Sequence, residues 1–113
     1  MARERLYKLA VMYFKSRGYR VEEGVTKEGF TGVLQSIDLL VKRGAEQRPV
    51  FIKEWKRTVG VNVVINADKA AEDAGFSNPI VVADKFSDHA KAYANRRKIR
   101  LLTRSEIVRS LLL

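Results

Sequence analysis

Two apolar runs at the centre of the chain carry charges that a buried strand ordinarily excludes. The first is Ile37-Asp38-Leu39-Leu40-Val41 and the second Val50-Phe51-Ile52-Lys53-Glu54-Trp55-Lys56, with a short basic loop between them. Moving a charge into an apolar interior is costly unless the charge is paired or ligates a metal. Asp38, Lys53, Glu54 and Lys56 therefore mark a candidate site, built where two neighbouring strands lie side by side.

The flanking sequence supplies a scaffold for such a pair. Leu6, Leu9, Ala10, Tyr13 and Phe14 fall on one helical face, and Gly18 ends that helix. Tyr19 to Glu22 reads as a short strand, and residues 24–33, with Gly24, Gly29 and Gly32, as a loop or tight hairpin. Residues 34–42 and 49–56 read as the second and third strands of a meander, with a turn over residues 43–48. Val61, Val64, Ile65, Asp68 and Ala71 share a face if the next segment is helical. Its β-branched start also admits a strand, but helix to about Ala74 with Gly75 as stop is the better reading. Ile80 to Ala83 is a short, wholly apolar run, as in a buried parallel strand. Ser87 caps a helix through about Arg97, residues 99–102 form a strand, and Thr103 with Glu106 makes a capping box before a last helix over 107–112. The expected fold is α/β: one domain over residues 1–113, a mixed central sheet flanked by helices in the order helix, three strands, helix, strand, helix, strand, helix. The tail Leu111-Leu112-Leu113 is expected to dock on the core or to join a dimer interface.

Composition narrows the chemistry. A chain of 113 residues suffices for a buried core. No apolar run approaches the ~20 residues of a membrane span, and Met1 to Arg5 show no apolar signal region. An intracellular, cytoplasmic protein with no membrane partner is expected, nucleoid-associated if it binds DNA. The absence of cysteine removes thiolate metal sites and cysteine nucleophiles. The one histidine, His89, follows Ser87 and Asp88 and is expected in a helix's first turn rather than in catalysis. A net charge of +9 favours a polyanionic partner, chiefly nucleic acid.

Hydrolysing a phosphodiester with Mg²⁺ requires hard oxygen ligands and a positive group near the reacting phosphate. Residues two apart on a strand face the same way, so Glu54-Trp55-Lys56 is an acid-x-Lys pair, with Asp38 on the preceding strand. Trp55 is a base-stacking candidate or a core residue. Arg57, Asn62 and Asn66 after the strand, and Lys42 and Arg43 before it, are candidate DNA contacts.

The collinear set Ile37 to Gly44, Val50 to Arg57, Val59-Gly60-Val61, Ile80 to Ala83 and Ile99 to Leu102 resembles the Mrr-type restriction endonucleases and archaeal Holliday-junction-resolvase-like proteins of the PD-(D/E)XK superfamily. That resemblance implies a restriction-endonuclease-like fold, DNA as partner, Mg²⁺ or Mn²⁺ as cofactor and frequent homodimers. Aligned on Trp55, Asp38 and Lys53 match the family pattern, but Phe51 stands in the place of its second acid. Glu54 stands where the family has a basic residue. Tyr7 stands near the slot of a first-helix glutamate, with Glu4 one turn earlier. Two arrangements follow. Either the site is Asp38 with Lys53 and lacks a carboxylate, or Glu54 replaces the missing metal ligand and Lys53 or Lys56 supplies the positive charge. The first predicts a nuclease fold kept for DNA binding or assembly. The second predicts a small Mg²⁺-dependent endonuclease, structure-selective or nonspecific, with Asp38 and Glu54 on the metal.

Overall fold

The computed structural model describes residues 5–112. Glu4 and Leu113 lie outside them. The elements run α1 (Leu6–Ser16), β1 (Arg20–Glu28), β2 (Leu34–Arg43), β3 (Glu46–Lys53), α2 (Val61–Asp73), β4 (Ile80–Ala83), α3 (Asp88–Arg97), β5 (Arg100–Thr103) and α4 (Arg104–Leu111). The strands form one five-stranded sheet in chain order. β1, β2 and β3 are antiparallel neighbours, and β3, β4 and β5 are parallel. This is the mixed α/β sheet expected from the sequence.

The sheet is covered on both faces. Leu6, Leu9, Ala10, Tyr13 and Phe14 of α1 pack with Ile107 of α4 against Leu39, Val50, Ile80, Val82 and Leu102. On the other face Val64, Ala67 and Ala71 of α2 and Ala90 and Ala94 of α3 pack against Phe51, Val81 and Ala83. β4 sends alternate residues into both layers, which is why its sequence is apolar without interruption. The caps at Ser87 and at Thr103 with Glu106 form as their sequences imply. Leu111 docks on the α1 layer, whereas Leu112 is exposed.

Several boundaries differ from the sequence expectation. β1 runs on to Glu28, through Gly24. Gly24 has φ +63° inside the strand, bracketed with Asp38 by the pairs Glu23–Leu39 and Val25–Ile37. Val21, Leu39 and Val41 pack in the α1 layer, but Val25 and Ile37 pack in the α2 layer. Residues an even number apart on a flat strand share a face, so the hairpin turns over at Gly24 and Asp38. Its outer half then lies across α2. β3 starts at Glu46, because Gly44 with φ +60° permits a tight turn after Arg43. It ends at Lys53 rather than residue 56, since its partner β4 ends at Ala83, opposite Lys53. α4 starts at Arg104, directly after its cap.

Candidate active-site fork

Pairing of β2 with β3 stops at Leu39–Val50. One residue further, the Asp38 carboxylate accepts the backbone N–H of Ile52 at 2.7 Å. The side chain thus replaces a strand carbonyl and holds the two strands as they part. The fork opens beside the carboxyl ends of the parallel strands β3 and β4, the usual place for ligands in sheets of this kind.

Tyr7 of α1 closes one side. Its hydroxyl lies 3.4 Å from the Asp38 carbonyl. Burial first, then a hydrogen bond to Glu23 and the charges of Glu23 and Asp38, raise this phenol above its ordinary value of 10.0. Glu23 was not singled out in the sequence, although its alternation with Val21 and Val25 was the available signal.

Glu54 lies beyond the strand end, so strand alternation does not govern it or Lys56. Its Oε1 accepts the backbone N–H of Tyr7 at 2.9 Å and lies 3.7 Å from Arg5 Nε. Arg5, at the N-cap of α1, makes no side-chain cap, and the first turn holds no acid. Glu54 therefore caps α1 from outside.

Lys53 turns with Phe51 to the α2 face. There they line a cavity of about 260 Å³ with Ser36, Trp55 and Asn66. Trp55 is half-buried against the α2 layer. The Arg57 guanidinium stands 4.6 Å from its ring centroid and Lys53 Nζ 5.7 Å. Lys56, Arg57 and Asn62 are exposed. The loop is anchored where Val59 N–H donates to the Lys85 carbonyl at 2.8 Å and Ser87 N–H to the Val59 carbonyl at 3.0 Å.

The structure brings Lys53, Trp55 and Asn66 together and separates Lys42 and Arg43 from them. Those two lie at the far end of β2, about 13 Å (Lys42) and about 17 Å (Arg43) along the strand from Asp38. Lys42 is paired with Glu22. Arg43 stacks over Tyr19 at 4.3 Å and donates to the Arg17 carbonyl at 3.1 Å. His89 is exposed in the first turn of α3.

The donors at the fork do not fit a two-carboxylate Mg²⁺ site. Phe51, which the resemblance puts in the second acid's place, is 5% exposed and has no donor atom. One Asp38 oxygen is committed to Ile52, and Glu54 caps a helix. Among the described residues no three acidic or imidazole side chains converge to hold an ion.

A second polar cluster supports the hairpin. Asp73, in the last turn of α2, accepts from Thr31 N–H at 3.0 Å, Thr31 Oγ1 at 2.9 Å and Gln35 Nε2 at 2.9 Å. The Gln35 amide first, then the Thr31 N–H, hold its carboxyl below the ordinary 3.8. Asp68, the buried acid on the apolar face of α2, accepts from Tyr93 Oη and Arg97 Nε, both at 2.9 Å. Its place among Val64 and Ala71 was the sequence signal for a partnered charge.

Among the described residues no helix is long and apolar enough to cross a membrane. No curated protein matches the sequence. By structure, the chain is similar to AF1548, a protein of unknown function. The TM-score is 0.82 at 19% identity, over 95% of this chain and 66% of that one. It is also similar to a repair endonuclease from Pyrococcus abyssi, with TM-score 0.61 at 12% identity, over 91% of this chain and 48% of that one. A third likeness is to EndoMS in complex with double-stranded DNA, with TM-score 0.53 at 15% identity, over 91% of this chain and 46% of that one. The chain thus spans about two thirds of the first protein and about half of the other two. The family model Mrr_cat, restriction endonuclease, matches residues 1–111. With Asp38 at the strand fork and Lys53 closing β3, the chain belongs to this restriction endonuclease family.

Proposed function

We propose that this member of the family binds DNA at the β2–β3 fork and the loop after β3, and that its hydrolytic centre is reduced to Asp38 and Lys53. The observation that carries the reading is Phe51, packed in the core where a second metal carboxylate would stand. Binding is supported by the net charge of +9, by Lys53 and Arg57 grouped around Trp55, and by the exposed Lys56 between them in sequence. Such contacts neutralise phosphates without reading sequence, so recognition is nonspecific or structure-selective. The test is duplex binding in the presence of EDTA across a salt series. Affinity is expected to fall steeply with salt, with a logarithmic slope of about −0.9 per phosphate contacted. Absence of binding at low salt overturns the reading.

A second reading is the Mg²⁺- or Mn²⁺-dependent endonuclease, with Asp38 and Glu54 as metal ligands and Lys53 or Lys56 beside the reacting phosphate. One observation favours it. Asp38 and Glu54 both border Tyr7, through its hydroxyl and its backbone N–H. Fraying of the first turn of α1 would release Glu54 toward the fork. Metal-dependent cleavage lost in both Asp38→Ala and Glu54→Ala selects this reading.

A further inference from the structure

We infer that the cavity between the turned-over hairpin, the end of β3 and α2 is a pocket for a single unpaired nucleobase. The inference deepens the DNA-binding reading and rests on it. The cavity measures about 260 Å³. That is below the ~300 Å³ at which sites for drug-sized ligands begin, a size suited to one planar heterocycle. Phe51 and Trp55 supply apolar and aromatic walls, and base–aromatic stacking tolerates any base because every base has a π-face. Ser36 and Asn66 add a hydroxyl and an amide, groups that donate and accept hydrogen bonds at a base edge. Lys53 lines the same cavity, and Arg57 stands over the Trp55 ring, so cations for the flanking phosphates stand at the pocket itself.

The ligand class follows from this chemistry. A base inside a duplex presents only its edges, and its face becomes available for stacking when it is unpaired or extruded. The structure supplies aromatic walls and two polar side chains around one open pocket, with positive charge beside it. Phe51, which leaves the fork without a second carboxylate, contributes to the apolar lining.

Trp55 is the only tryptophan, so its fluorescence reports on the pocket directly. The probes are a fully paired duplex and the same duplex carrying one bulged adenine, compared by anisotropy and by Trp55 quenching. The expected result is about tenfold tighter binding of the bulged duplex, with stronger quenching, and loss of that preference in Asn66→Ala. Asn66 is exposed on a helix, so its replacement by alanine leaves the fold intact. Equal affinity for the two duplexes, with equal quenching or none, overturns the pocket while leaving the DNA-binding reading standing. No binding of either duplex overturns both.

Discussion

The Asp38 carboxylate takes the Ile52 backbone N–H at 2.7 Å and so pins the parting of two strands. Asp38→Ala leaves that N–H without its partner, at a cost of about 1–3 kcal/mol. Asp38→Asn keeps an acceptor oxygen and is expected to lose less. Chemical denaturation of the two variants checks this order. Under the binding account, Asp38→Asn also binds duplex DNA at least as tightly as the parent, because a negative charge has left the fork.

Glu54 caps α1 by accepting from Tyr7 N–H at 2.9 Å. Glu54→Ala is expected to destabilise the fold by about 0.5–2 kcal/mol, as loss of a helix N-cap does. The fall in midpoint should come with affinity for DNA in EDTA at least as high as the parent's, because a negative charge has left the loop after β3.

Gly29 is buried against α2, where an added Cβ would lie 1.8 Å from Asp73 Oδ2. Asp73 is held by Thr31 and Gln35 and yields only by giving up those bonds. Gly29→Ala is therefore expected to cost about 1–3 kcal/mol. In Gly29→Ala with Asp73→Ala the two effects should be strongly non-additive, which a double-mutant cycle measures.

The carboxyl of Asp73 is lowered in the folded state, chiefly by Gln35 and then by Thr31. Its contribution to stability is present above its ordinary value of 3.8 and is lost as pH falls through the folded value. Below about pH 4 the parent is expected to lose stability more steeply than Asp73→Asn, read from thermal melts across pH. The Tyr7 phenol has the opposite sign. Its folded value lies above 10.0, so its contribution is present below pH 10 and is lost as pH rises through the folded value. Tyr7→Phe is expected to flatten the alkaline limb.

Much of the fold was legible because local signals agreed with tertiary packing. The α1 face named from periodicity is the set of residues buried there, and the caps at Ser87 and Thr103 form as their side chains dictate. The hairpin was less legible. Gly24 reads as a break, yet in the structure it is the point at which a continuing strand turns over, a consequence of wrapping across α2. The end of β3 was also hidden. Alternation through Lys56 looks regular, but the strand stops where β4 stops, a limit set by a segment about thirty residues away. Asp38 and Lys53 were visible as charges in apolar runs. The fate of Glu54 was not, because it is decided by its contact with Tyr7, forty-seven residues away in sequence.

The most direct test of the central claim is incubation of supercoiled plasmid with equimolar protein in Mg²⁺ and, separately, in Mn²⁺, with binding of the same DNA measured alongside. The account predicts salt-sensitive binding that divalent ion does not strengthen, and plasmid that stays supercoiled. Nicking or linearisation that disappears in Asp38→Ala would contradict it.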